Sequence, residues 1–138
     1  MSINSKISEV RDMFMLLDNP MDKYTQIIEL GKKNVGMPNK YKNESNRIFG
    51  CASMAWVFVK QNKNKFKILI DSDTLIVKGL LNIIKFIVDG GEKIDIINLS
   101  VEEILDNIGL DNSITSQRTN GLMNALNKIK QQVREYNE

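Results

Sequence analysis

Apolar residues recur along this chain with two periods, one near 3.6 and one of 2, and the switches between them outline its elements. Ile3, Ile7, Val10, Phe14 and Leu17 fall at helical spacing, so the chain opens with an amphipathic helix. Asn19-Pro20 restarts it, because asparagine suits an N-cap and proline suits the first helical position. A second helix follows with Tyr24, Ile27, Ile28 and Leu30 as its buried stripe, fading over 31–35.

The helical period then disappears. Gly36, Pro38, Asn39 and Asn43 are turn formers, and the stretch 36–44 reads as an irregular loop, made locally basic by Lys40 and Lys42 with Lys32 and Lys33 just before it. Met54-Ala55-Trp56-Val57-Phe58-Val59 is rich in β-formers, and Phe66-Lys67-Ile68-Leu69-Ile70 repeats that character. The polar Gln61-Asn62-Lys63-Asn64 between them supplies the turn of a β-hairpin. Arg47-Ile48-Phe49 is expected to add a third strand, since a lone hairpin is marginal in water. Trp56 is expected in the core.

Over 74–88 the apolar residues cover nearly the whole helix circumference, from Leu75, Ile76 and Val77 to Ile87 and Val88. Such a helix belongs in the core and is expected to lie against the sheet. Asp71-Ser72-Asp73 is expected to cap it, and Gly90-Gly91 to stop it. Ser100-Val101-Glu102-Glu103 is a capping box that opens a short helix to about 108, with Gly109 as its stop. After a polar loop over 111–117, a last amphipathic helix runs from about 118 toward 136, with Leu122, Leu126, Ile129 and Val133 as its stripe. The order indicates an α+β fold, a small antiparallel three-stranded sheet packed with helices. The length of 138 residues suits one such domain spanning 1–138.

Composition changes this picture mainly by exclusion. A net charge of +2 gives no general electrostatic reason to expect nucleic acid or a membrane surface as partner. The most apolar segment, 75–88, is broken by Lys78, Asn82 and Lys85 and is too short to span a bilayer. The first residues show no signal-peptide pattern, and a single cysteine cannot form an internal disulfide, so a reducing, cytoplasmic location is expected. The absence of histidine excludes Ser-His-Asp and Cys-His chemistry within the chain. One cysteine is also too few ligands for a zinc or iron–sulfur site of its own.

The remaining candidate is Cys51, at a loop-to-strand junction and preceded by Gly50. Glycine there removes steric cover and permits unusual dihedrals, which would let the sulfur meet a partner. Position alone leaves two readings open, a small buried hydrophobe or a reactive thiol. Activation would have to come from arginine or lysine (Arg47 is near in sequence), from backbone amides, or from a partner's pocket.

The residues around Cys51 are more specific. Asn46-Arg47-Ile48-Phe49-Gly50-Cys51-Ala52-Ser53-Met54-Ala55-Trp56 resembles the N-x-V-x-G-C-x-S-x-V-W signature of the SufE family, the sulfur acceptors of the Suf iron–sulfur assembly system. Asp71-Ser72-Asp73-Thr74-Leu75-Ile76-Val77-Lys78-Gly79-Leu80 is similar to that family's D-S-D-A-x-I-V-K-G-L. Thr115-Ser116-Gln117-Arg118-Thr119-Asn120-Gly121-Leu122 resembles its T/S-P-S-R-x-N-G-L, and the stretch from Tyr24 to Gly31 matches Y-x-x-I-I-E-L-G. Four blocks thus occur in the family's order. The chain departs from the pattern at Ala52, Met54 and Ala55 after the cysteine, and at Ser116 and Gln117.

The resemblance implies a defined task. Family members accept sulfur from the persulfide of a pyridoxal-phosphate cysteine desulfurase (SufS-like), stimulate that enzyme, and pass the sulfur to an iron–sulfur scaffold complex (SufBCD-like). Their fold is shared with IscU-like scaffolds. The family's cysteine maps onto Cys51 and its arginine onto Arg118. Asn46, Arg47, Gly50, Ser53 and Asp73 fall in the same blocks as candidates for supporting the loop or meeting a partner. No cofactor is expected on this chain, because the desulfurase carries the pyridoxal phosphate. A monomer or a homodimer is equally compatible.

Other readings of single residues stand beside these. Asp71 and Asp73 read as helix caps before they read as partner contacts. A cation at Arg118 sits mildly against the helix dipole, which together with the family match leaves a site role and a structural role equally open. Asn46 and Asn120 are expected to brace loops. The alternative function is a non-catalytic regulator with Cys51 packed inside. A free-standing thiol oxidoreductase is disfavoured because there is no resolving cysteine. A carrier thiol is best kept sheltered and released on docking.

Overall fold

The computed structural model describes residues 2–50, 53–110 and 115–136; Cys51, and residues 111–114 of the expected polar loop, lie outside them. Helix α1 (Ile3–Met15) is capped by Ser2, whose hydroxyl accepts from the Ser5 N–H. Helix α2 (Pro20–Lys33) starts as the sequence indicates, with Asn19 Oδ1 accepting from the Met21 N–H at 2.8 Å and proline in the first turn. Two 3-10 turns, Asn39–Tyr41 and Glu44–Asn46, occupy the basic loop region. Strands β1 (Ala55–Asn62) and β2 (Lys65–Ser72) form the antiparallel hairpin, with Trp56 opposite Asp71 and Lys60 opposite Lys67. Helices α3 (Leu75–Val88), α4 (Lys93–Ile97), α5 (Val101–Asn107) and α6 (Ser116–Glu135) complete the chain. None of the described helices is long and apolar enough to cross a membrane.

Helix α3 is the centre of the core. It packs on β2 and is flanked by α1, α2 and α6, and Leu80, Leu81, Ile83, Ile84, Ile87 and Val88 are all buried. Its crossing with α2 is unusually close because both helices present glycine there. A Cβ on Gly31 would collide with the Leu75 carbonyl oxygen, and one on Gly79 with the Ile27 carbonyl oxygen. These two glycines end the Tyr24 block and sit inside the Lys78-Gly79-Leu80 block, so their part in the sequence pattern is close packing.

Three expectations need correction. The first is the third strand. Arg47 makes only an isolated bridge to Trp56, with the Ile48 N–H donating to the Ala55 carbonyl at 2.8 Å, and the sheet has two strands. The reason lies on α6. Gln132 Oε1 accepts from the Val59 N–H at 2.9 Å, its Nε2 donates to the Val57 carbonyl at 3.3 Å, and the Tyr136 hydroxyl donates to the Val59 carbonyl at 2.7 Å. Side chains of a helix occupy the edge that another strand would have paired.

The outer edge of β2 is covered in a similar way. The Ile68 N–H donates to Asp89 Oδ1 at 2.8 Å and the Ile68 carbonyl accepts from Lys85 Nζ at 2.7 Å. Phe66 exchanges backbone hydrogen bonds with Gly90 and Gly91. Neither edge is left as an open template for another chain.

The second correction concerns the cap of α3. Its N-cap is Thr74, with no side-chain capping bond, whereas Asp71 and Ser72 still belong to β2. Asp73 is exposed, and its N–H donates to the Met54 carbonyl at 3.1 Å. The third concerns Trp56. Strict alternation sends Ala55, Val57 and Val59 inward, so Trp56 and Phe58 lie half-buried on the outer face. There Lys42 Nζ lies 5.5 Å from the Trp56 ring centroid, and Phe58 stacks on Tyr41 at 4.2 Å. The short helix α4 had no periodic signal in the sequence, and α6 begins at Ser116, earlier than its apolar stripe implies.

Candidate functional site

The chain on either side of residues 51 and 52 is held by hydrogen bonds to two different elements. On the upstream side Ile48 is buried, while Phe49 is 55% exposed and its carbonyl accepts from Asn124 Nδ2 of α6 at 2.7 Å. Gly50 follows at φ +91°, a conformation that favours glycine, and a Cβ there would collide with Asn124 Nδ2. On the downstream side Thr74 Oγ1 lies 3.2 Å from Ser53 Oγ, and Ser72 Oγ donates to the Met54 carbonyl at 2.8 Å. Asn124 therefore fixes one flank, and the β2–α3 junction fixes the other.

Beside Ser53 opens a cleft of about 340 Å³. Ile76, Leu80 and Leu122 give it apolar walls, while Ser53, Thr74 and Arg118 are among its polar lining residues. The first three sequence blocks thus meet there, each contributing lining residues from a different element. The fourth joins through Tyr24, whose ring centroid lies 5.7 Å from the Arg118 guanidinium carbon. Thr115 sets the start of α6, its Oγ1 accepting from the Arg118 N–H at 3.3 Å. Among the described residues the Arg118 guanidinium has no carboxylate ion-paired to it. A cation on an aromatic face beside an apolar cleft is suited to receive an anionic group.

The other candidates are placed as follows. Asn46 is buried, donates to the Tyr41 carbonyl at 2.8 Å, and accepts from Gln132 Nε2 at 3.0 Å. It braces the loop against α6. Arg47 turns its guanidinium to Glu44, with Nη1 3.6 Å from Oε1, and to the Phe49 ring, 5.0 Å from the centroid; it is not among the cleft's lining residues. Asp73 is exposed, and its backbone reaches Met54. Asn120 is exposed on α6. Gln132 and Asn124, which hold the hairpin edge and the Gly50 flank, carry no local signal in the sequence, because their partners lie 73 and 75 residues away.

Asp71 is the buried carboxylate of this region. Lys42 Nζ lies 3.0 Å from Oδ2, Lys78 Nζ 3.5 Å from Oδ1, and the N–H groups of Met37 and Ser72 donate to it at 3.2 and 2.8 Å. Burial alone would raise its pKa, but the Lys42 ammonium, the two N–H donors and Lys78 outweigh burial and hold it below its ordinary value. It ties the basic loop to β2 and α3. Among the described residues no group of three or more acidic, Cys or His side chains could hold a metal ion.

The arrangement matches known proteins across nearly its whole length. The family described as SufE, Fe-S metabolism associated domain, matches residues 8–133. The cysteine desulfuration protein SufE of Wigglesworthia glossinidia brevipalpis is 34% identical over 130 residues, which covers 94% of this chain and 90% of that protein. A SufE-like protein of Rhizobium meliloti is 32% identical over 130 residues, covering 91% of this chain and 93% of that one. The solution structure of a hypothetical protein from Thermus thermophilus superposes with a TM-score of 0.77 over 94% of both chains at 19% identity, a likeness of fold alone.

Proposed function

Because the chain belongs to the SufE family of Fe-S metabolism proteins, we propose that Cys51 accepts persulfide sulfur from a cysteine desulfurase and carries it toward iron–sulfur cluster assembly. The supporting observation is the meeting of three separated sequence blocks around one cleft, whose lining begins two residues beyond Cys51, with the fourth block reaching the cleft's Arg118 through Tyr24. Scattered segments of the same pattern are hard to explain by packing alone when they share a partly polar opening with a guanidinium.

The step is a displacement at sulfur. The Cys51 thiolate attacks the outer sulfur of the desulfurase persulfide, the S–S bond to the desulfurase cysteine breaks, and that cysteine leaves as a thiolate with the bonding electron pair. Cys51 then carries the persulfide, with no net oxidation and no metal. In this reading Arg118, on the wall of the cleft beside Ser53, supplies the cation that balances the negative charge on sulfur as it moves. With no second cysteine in the chain, nothing intramolecular discharges the product. The pyridoxal phosphate belongs to the partner. The protein acts as an accessory carrier that stimulates the desulfurase, formed as a single domain, and a SufBCD-like scaffold complex is the receiver.

Incubation with a SufS-like desulfurase and L-cysteine is expected to add the mass of one sulfur atom to Cys51 and to raise desulfurase turnover. Cys51→Ser is expected to lose both. An active desulfurase that never yields the adduct would overturn the proposal. Stimulation that survives Cys51→Ser would favour the alternative, a non-catalytic regulator with a structural cysteine.

A further inference from the structure

The outer face of the hairpin, on the side away from the helices, carries a charge arrangement that folding does not explain. Lys60 and Lys67 are directly opposite each other across the two strands and both are exposed. Like charges so placed are destabilising, and a sheet normally avoids them. Lys65 is exposed one same-face position from Lys67, and Lys40 joins from the loop. Lys40 Nζ and Lys60 Nζ lie 5.0 and 5.2 Å from the centroid of the same Tyr41 ring, which is stacked on Phe58. Among the described residues none of these four lysines is ion-paired; Glu92 meets Lys65 only through a backbone bridge. In a chain whose net charge is only +2, this is a marked local concentration.

We propose that this face, centred on Lys40, Lys60 and Lys67, docks a carboxylate-rich segment of a protein partner. Carboxylates laid between Lys60 and Lys67 would relieve the repulsion that the free protein carries, so binding would be driven by complementarity and weakened by salt. The aromatic rings argue against a nucleic-acid strand. Tyr41 and Phe58 are half-buried and stacked on each other, with two ammonium groups over Tyr41, and Trp56 on the same face is half-buried with Lys42 Nζ 5.5 Å from its centroid, so none is a freely exposed ring on which bases could stack. Lys60 lies five residues along β1 from Ala55, roughly 17 Å at strand rise, so this surface is separate from the cleft beside Ser53. The inference does not rest on the sulfur-transfer reading.

The probe is a deca-glutamate peptide titrated into the whole 15N-labelled protein, followed through amide shifts and compared with Lys67→Glu. Saturable shifts are expected around residues 40–42 and 56–69, weakening several-fold between about 50 and 200 mM salt. Lys67→Glu should weaken binding about tenfold while leaving the melting temperature equal or about 1–3 °C higher, because it turns a repulsive cross-strand pair into an attractive one. That combination separates docking from folding. Shifts spread evenly over all lysines, or binding unchanged by Lys67→Glu, would overturn the proposal. Tighter saturable binding of decathymidylate would assign the face to nucleic acid instead, and a salt-sensitive dimer abolished by Lys67→Glu would assign it to the stretch 92–111 of a second copy, which carries six carboxylates and one lysine.

Discussion

Asn124 on α6 donates its Nδ2 hydrogen to the Phe49 carbonyl at 2.7 Å, and so anchors the chain one residue before Gly50 to a helix 75 residues further on. The bond holds the upstream flank of the Cys51 segment while Phe49 itself stays in solvent. Asn124→Ala removes one exposed hydrogen bond and should cost about 0.5–1.5 kcal/mol of stability. The larger effect is expected at the thiol. In the wild type Cys51 should react with a bulky maleimide more slowly than in the unfolded chain, and Asn124→Ala should accelerate that reaction several-fold. Equal rates in the variant and the wild type would show that this tether does not shelter the sulfur.

Arg118 separates charge from packing at the cleft. Its guanidinium rests over Tyr24 and is half-buried, so Arg118→Ala should cost no more than about 1 kcal/mol in stability. Single-turnover sulfur transfer to Cys51 should nevertheless fall by about tenfold, the scale of one lost charge contact at a developing anion. Arg118→Lys should recover part of the rate, because it restores charge without the planar fork. A purely structural arginine would show the reverse, a stability loss with unchanged transfer.

These tests draw unequally on what the sequence made legible. Caps that act within a few residues were readable, as with Ser100 accepting from the Glu103 N–H and Asn19 from the Met21 N–H. So was the hairpin, because alternation along 55–59 is a local property. Trp56 lies outside the core because its phase along β1 is opposite to that of Ala55 and Val57, and phase decides the face whatever the size of the side chain. Arg47-Ile48-Phe49 has the composition of a strand, but the edge it would have extended is held by Gln132, and nothing near either segment announces that. The four blocks around the cleft were visible as a resemblance. That Tyr24 should lie under Arg118 depends on how α2 and α6 are each set against α3, which spacing along the chain does not encode. The helix α4 is only five residues long, too short for a period to register.

Asp71 shows the same limit and makes a pH prediction. Asp-Ser-Asp before a helix reads as a cap, yet the strand carries Asp71 into a cage of Lys42, Lys78 and two backbone N–H groups. Its folded carboxyl titrates below the 3.8 of the free group, so the unfolded chain takes up the proton first. The stabilisation from this carboxylate is therefore complete above about pH 5 and is lost as the pH falls through the folded value. Asp71→Asn should lower stability by about 1–3 kcal/mol near neutrality, leaving two partly buried ammonium groups without their partner. Between about pH 5 and pH 3 the melting temperature of the variant should fall less steeply than that of the wild type. Parallel curves would mean that Asp71 contributes nothing to the acid sensitivity.

Gln132 offers the sharpest test of how the hairpin is finished. Its Oε1 accepts from the Val59 N–H, and its Nε2 faces two acceptors, the Val57 carbonyl at 3.3 Å and Asn46 Oδ1 at 3.0 Å. Gln132→Ala removes all three bonds, two of them to the hairpin edge, and should cost about 2–3 kcal/mol, with the Val59 amide exchanging markedly faster with solvent. Gln132→Glu keeps the shape and keeps the acceptor for Val59. It also replaces the donor with a charged oxygen aimed at two other oxygens, so it should be at least as destabilising as alanine despite being the closer match in size. If the glutamate variant instead melts near the wild type, the side chain fills space without serving as the missing strand, and the two-stranded sheet needs another explanation.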